Sequence, residues 1–349
     1  MKRVLLFVIG FLPLLSCFRP ASGPAARTME YASLLRIGDG MVVSISPYDG
    51  SEDTLLLDGP LEKVVCMSSS HVAFFDAIGC DSVICGVSGI GYVTSPELRS
   101  RHGRGDVADV GYDVAPDYEA ILSMQPDVVL AYRLGAAESP FLSKLAALGV
   151  RVFPLYEFAE FHPLGRAEYI KAFGLMTARQ SLADSLFSAI AAEYNSLAVC
   201  PGDSLPALKV LMNVPYGDIW YVPGGEGYMA TLVRDAGGEL LGARAGRTES
   251  GAISMEEAFI LSTRADCWLN TGWCNTRRAL EAANPLFKDF KVPAIYNNTR
   301  RMTGGGGNDF WESGCVHPEL VLRDLRSIFG AVASGAPAPD SLYYYLEVK

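Results

Sequence analysis

GRAEYIKAFGLMTARQSLADSLFSAIAAEYNSLAVC, residues 165–200, is the stretch that decides the fold. No proline falls between Pro163 and Pro201, and Pro154 and Pro206 lie just beyond them. Leu182, Leu186, Ile190, Tyr194 and Leu197 recur at helical spacing. Thr177 with Gln180 fits a capping box, in which hydroxyl and amide satisfy free N–H groups of the first turn. Gly174 marks a break. The pattern predicts a short helix over 166–173 and a long one over 178–199, roughly 30 Å in length at 1.5 Å per residue. Such a helix can run behind two domains and join them; the plainer alternative is a surface helix of one domain.

The flanks favour the joining role. Before the helix, short apolar strands are predicted at 63–67, 82–87, 128–132 and 150–155, alternating with helices at 71–78 and 141–148. After it, strands at 208–213, 267–270 and 294–297 alternate with helices at 229–236, 254–262, 285–290 and 318–329. Continuously apolar strands separated by helices argue for parallel sheets covered on both faces. Both halves carry a shared phrase, Glu119-Ala120-Ile121-Leu122 leading to Asp127-Val128 and Glu257-Ala258-Phe259-Ile260-Leu261 leading to Asp266-Cys267. Residues 29–62 read instead as a small β appendage, with Gly38-Asp39-Gly40 as a hairpin turn. The division expected is a targeting segment 1–16, a tether 17–28, the appendage 29–62, an α/β lobe 63–157, the interlobe helix segment 158–205, a second α/β lobe 206–329 and a tail 330–349.

Composition narrows the function. The 349 residues are 50% hydrophobic and 19% charged, enough apolar material for a large core. A net charge of −10 disfavours nucleic acid as a partner, because phosphate binding needs a basic face. Lys2 and Arg3 followed by the apolar run Val4–Leu15 have the form of a secretory signal, too short to span a bilayer. Leu14-Leu15-Ser16-Cys17 resembles a bacterial lipobox, which would make Cys17 the lipidated mature N-terminus; the alternative is a plain signal with an incidental cysteine. Seven further cysteines without a CxxC pair do not indicate a disulfide framework.

VVCMSSSHVAFFDAIGCDSVICGV, DVGYDVAPDYEAILSMQPDVVLAY, KLAALGVRVFPL and VPAIYNN, in this order across residues 63–329, resemble the periplasmic substrate-binding proteins of ABC importers for iron-siderophores, haem and vitamin B12. FHPLGRAEYI, WYVPGGEGYM and GGGGNDFWESG are similar to a lipoprotein subgroup of Bacteroidota. The resemblance implies an α/β fold with two Rossmann-like lobes of mainly parallel sheets, joined by one long rigid helix that permits only small closure. It implies a monomeric receptor at the periplasmic face of a bacterial membrane, attached through its lipid anchor only. Its partners would be a metal chelate and an ABC permease dimer with its ATPase, with no catalysis and no cofactor of its own. In such a family one acid on each lobe docks the permease; by position these are Glu138 and, more loosely, Glu281.

The ligand of such a fold lies where loops leave the carboxyl ends of the strands. Those loops carry Ser70, His71, Tyr92, Tyr112, Tyr132 and Arg133 in the first lobe. In the second they carry Tyr216, Trp220, Tyr221, Tyr228, Trp273, Arg301 and Trp311. A large, partly apolar chelate wants flat aromatic walls and a few cations; each aromatic taken singly is as well suited to a core. Pro223-Gly224-Gly225-Glu226-Gly227 before a helix reads either as an anion cradle or as a tight loop. Gly304–Gly307 lacks the Lys-Ser/Thr of a phosphate loop. Glu160, His162, Arg166 and Glu168 crowd a chain reversal and read as a network at the lobe junction or a solvated turn. The competing functions are a free zinc or manganese receptor, a surface-anchored hydrolase or chelatase, and a structural lipoprotein. The four histidines are scattered and no nucleophile motif occurs, which favours none of them.

Overall fold

The computed structural model describes residues 27–112, 114–137, 139–199, 207–337 and 339–349. The signal segment, the lipobox with Cys17, and Glu138 and Cys200 lie outside the described residues. Two five-stranded sheets dominate. The first lobe's sheet runs in the order Val152–Pro154, Val128–Ala131, Val64–Cys66, Ile84–Val87, Ala108–Asp109, all parallel. The second runs Gly238–Leu240, Leu208–Met212, Cys267–Leu269, Ala294–Asn297, all parallel, and ends with the antiparallel Leu346–Glu347. Strand residues Val64, Val128, Leu130, Val210, Met212 and Cys267 are fully buried, as strands covered by helices on both faces must be.

The chain's last residues thus belong to the second lobe and are no free tail. Asp324, on the helix Pro318–Ser334, accepts the backbone N–H groups of Tyr343, Tyr344 and Tyr345 and draws them onto the sheet edge. The N-terminal region is a separate antiparallel sheet of Arg27–Thr28, Leu35–Gly38, Met41–Ile45 and Glu52–Leu56. It is fastened by two carboxylates from the chain reversal: Glu168 accepts from the N–H groups of Glu30, Tyr31 and Ala32, and Glu160 from those of Ser33 and Leu34. Glu160 and Glu168 therefore anchor the appendage.

The decisive stretch opens on the end of a short helix, Pro163–Ala167, and goes on to two more, Ile170–Met176 and Gln180–Leu197, so the helix expected over 166–173 is split at Glu168-Tyr169. The long helix has 18 residues, about 27 Å. It packs against the shorter helix on one side and Pro318–Ser334 of the second lobe on the other. Tyr194 donates to Asp235 of the second lobe (2.7 Å), so the helix does join the lobes. Three local expectations differ. The capping box does not form, because the Thr177 hydroxyl donates back to Phe173 O and Ala178 takes a left-handed backbone, φ 56°. Gly174 does not break its helix; a side chain there would meet Ala183 Cβ at 2.5 Å, so the missing Cβ is what lets the helices touch. The buried stripe is accordingly Ala183, Phe187, Ile190 and Tyr194, leaving Leu182 exposed. One continuous apolar core runs from the first sheet through Tyr169, Phe173 and Phe310 into the second.

Candidate ligand-binding site

Leu208–Met212, Cys267–Leu269 and Ala294–Asn297 lie side by side, and each carries an asparagine at or just past its carboxyl end: Asn213, Asn270 and Asn297-Asn298. Asn213 and Asn270 are left-handed, with φ of 71° and 60°, a conformation asparagine accepts more readily than most residues. These strand ends floor a cup of about 380 Å³ whose walls include Tyr216, Tyr221, Trp273 and Trp311. All four rings are exposed, Trp273 at 73% and Tyr216 at 85%, far more than rings of that size need if their only role is packing.

The first lobe reaches the rim of this cup. A Cβ at Gly306 would sit 3.5 Å from both the Trp273 and the Tyr92 rings, which brings these two aromatics together at the Gly-rich loop. Tyr92 in turn meets Tyr112 edge-on at 5.9 Å, and both are exposed. Gly304–Gly307 is glycine because the lobes close on each other here: a side chain at Gly305 would strike the Gly91 carbonyl at 2.6 Å. Nearby, Glu312 of the second lobe accepts the N–H groups of Thr94 (2.6 Å) and Ser95 (2.9 Å) of the first. Asp309 accepts from the Thr94 hydroxyl and from Arg301 Nε. Burial pushes the Glu312 carboxyl up to about 7, against the lowering effect of the N–H groups it accepts.

Other residues expected in the cleft are spent elsewhere. Trp220 is fully buried, donates Nε1 to Met212 O and stacks on Trp268 and Phe290. It sits on the strand Trp220–Val222, whose alternate residues face the core, and only Tyr221 faces out. Ser70 and His71 are buried at the lobe junction with Glu157: the Ser70 hydroxyl donates to Glu157 Oε1 (2.6 Å) and His71 Nε2 lies 3.7 Å from Oε2. Burial works against the Glu157 charge, but the His71 imidazole, the Ser70 hydroxyl and the Arg166 guanidinium outweigh it and hold Glu157 at about 2. Tyr228 lies under Arg166, whose guanidinium is 4.2 Å from its ring centroid. Arg133 donates to Tyr156 Oη and pairs with Asp53 of the appendage (3.2 Å). Half-buried Tyr132 packs edge-on against Phe158. Arg301 is paired with Asp309 and covers Tyr343.

The Pro223–Gly227 loop is no anion cradle, since Gly225 and Glu226 donate their N–H groups to Arg244 O and Arg247 O and Gly227 donates to Gly224 O. Among the described residues no three His, Cys, Asp or Glu side chains come together as metal ligands. The six described cysteines are free thiols, and no described helix is long and apolar enough to cross a membrane.

The sequence model of the periplasmic binding proteins matches residues 64–299, more than half of the chain. The chain belongs to the periplasmic binding protein family. Its two α/β lobes and interlobe helix are those of a substrate-binding protein of the ABC-importer kind. This binding protein is also 27% identical over 313 residues, 84% of its length and 71% of the relative's, to a protein of Methanocaldococcus jannaschii described as an uncharacterized lipoprotein. The fold is shared with a periplasmic binding protein of Veillonella parvula (TM-score 0.61, 14% identity, 85% of this chain and 98% of that one). It is shared as well with a periplasmic heme binding protein of Pseudomonas aeruginosa (TM-score 0.56, 19% identity, 83% and 98%).

Of the residues expected in the cleft, Tyr216, Tyr221, Trp273 and Trp311 come together around one cup, whereas its asparagine floor was not among those expected. Its signal is visible in retrospect: an apolar run followed at once by asparagine, three times, at LKVLMN, CWLN and AIYNN.

Proposed function

We propose that this binding protein captures a metal chelate in the strand-end cup, is held at the periplasmic face of the membrane by lipid on Cys17, and hands the chelate to an ABC permease. One observation carries the reading: exposed aromatic rings gather at a concave site at strand ends, with Tyr216, Tyr221, Trp273 and Trp311 as walls and the first lobe's Tyr92, itself against Tyr112, reaching the rim at Gly306. Flat aromatic walls offer large contact area at little cost in side-chain freedom, which suits a bulky, partly apolar chelate. The name of the Methanocaldococcus relative and the lipobox-like Leu14–Cys17 support the anchor. Permease docking is assigned to Glu138 and to Glu281, which is exposed on the helix Arg277–Ala283.

The test is a titration of intrinsic tryptophan fluorescence with ferric siderophores, haemin and cobalamin. At least one should quench saturably, and Trp273→Ala with Trp311→Ala should weaken that binding tenfold or more without lowering the melting temperature. No saturable response to any member of the panel contradicts the reading. Glu138→Arg with Glu281→Arg should leave the affinity intact and abolish uptake in cells, since charges at a docking face steer the encounter rather than hold the ligand. Uptake at the parental rate removes these two residues from the docking face.

A further inference from the structure

Asn270 and Asn298 are 6% and 4% exposed, and both line the cup. Each keeps its buried Nδ2 without a hydrogen-bond partner among the described residues. A buried amide N–H left unpaired is costly, so two at one site need a reason. Backbone geometry supplies one only in part. The left-handed turn at Asn270 favours asparagine, but aspartate and glycine fit it equally well, and neither brings an idle donor. Asn213, the third of the set, shows what a merely structural asparagine does here: its Nδ2 donates to Tyr221 O at 2.9 Å and holds the neighbouring strand. The Tyr345 hydroxyl donates to Asn270 Oδ1 (3.0 Å), which fixes that amide and leaves Nδ2 as its spare end.

The cup holds no charge to set against these donors. Among the described residues its polar lining is asparagine, threonine, tyrosine and tryptophan. Arg133 and Arg301 are committed to Asp53 and Asp309. The formal net charge of −10 repels anions further.

We infer that Asn270 and Asn298 are specificity-determining donors for carbonyl oxygens on an uncharged chelate. This rests on the reading of the cup as a chelate site. The ligand class is a neutral complex rimmed by hydroxamate or carboxamide oxygens, stacked on Trp273 and Trp311, and chelates bearing carboxylates or catecholate charge are discriminated against. A carboxylate rim offers acceptors too, but its charge would be desolvated in a cup with no cation to meet it.

The experiment is calorimetric titration of the whole protein with a neutral ferric trihydroxamate, cyanocobalamin, haemin and a ferric tris-catecholate, repeated with Asn270→Asp and Asn298→Asp. Aspartate keeps the shape and the Tyr345 contact but deletes the N–H donors. At least one of the two neutral chelates should bind tenfold or more tighter than either anionic one. The arm that binds tells hydroxamate from carboxamide. Each substitution should weaken the neutral chelate at least tenfold with the melting temperature unchanged. Binding of an anionic chelate as tightly as a neutral one overturns the inference and leaves the chelate reading standing. So do two well-folded variants that bind like the parent. The selectivity of the parent protein decides the matter even when a variant does not fold. Binding of no chelate at all removes the chelate reading, and this inference with it.

Discussion

Glu312 shows how much a single residue can couple the two lobes. Its carboxyl accepts two N–H groups at the start of the first-lobe helix Pro96–Gly103 while 98% of its surface is hidden, being only 2% exposed. Burial raises its folded-state pKa to about 7, above the ordinary carboxylate range, with Asp309 adding to the rise. A raised acid favours folding in its protonated form. Its contribution is therefore complete below the unfolded value and is lost as pH rises through 7, on the order of 3 kcal/mol at most. Glu312→Gln keeps an acceptor and removes the titration. Calorimetric melting temperatures of that variant should vary less between pH 5 and 8 than the parent's, and exceed them at pH 8; an unchanged pH slope contradicts the assignment. Other residues show what sequence can and cannot tell. Trp220 and Tyr221 are neighbours between glycine-rich loops and look equally available, yet strand alternation buries one and exposes the other. Arg133 and Arg301 read as free cations because Asp53 and Asp309, their partners, are identified only by the fold.

Among the elements, the two helices of the interlobe segment were the most legible and their contact the least. A proline-free stretch with a helical period announces helices whatever surrounds it. Which face is buried depends on the partner. Gly174 and Ala183 meet at a distance no larger pair allows, and this rotates the buried stripe by one residue from the run of leucines and brings Phe187 inward against Tyr31 and Lys171. Gly174→Val should force the helices apart and destabilise the protein by about 1–3 kcal/mol. Denaturant unfolding measures this, and a midpoint equal to the parent's contradicts the close approach. The sheets were legible for a related reason: short continuous apolar runs alternating with helices fit strands covered on both faces. Short strands such as Gly238–Leu240 and the C-terminal Leu346–Glu347 were not, because their pairing is fixed by Leu208–Met212 and by Asp324 rather than by their own residues.

The whole molecule is built to hold its cup steady. The lobes share one core, a helix crosses between them, and Glu312, Tyr194 and the Gly91–Gly305 contact tie them at separate points. On the proposed reading, affinity would come from a preformed surface, because such a frame leaves little ordering to be done on binding. The same reading predicts only a small closure, with the aromatic rings and asparagine floor keeping their places on binding. The most direct test uses the metal itself. Crystals grown with a ferric chelate, measured at the iron absorption edge, should give one anomalous peak above the strand ends of Asn270 and Asn298, beside Trp273 and Trp311. A bound chelate whose iron peak lies away from that cup contradicts the account.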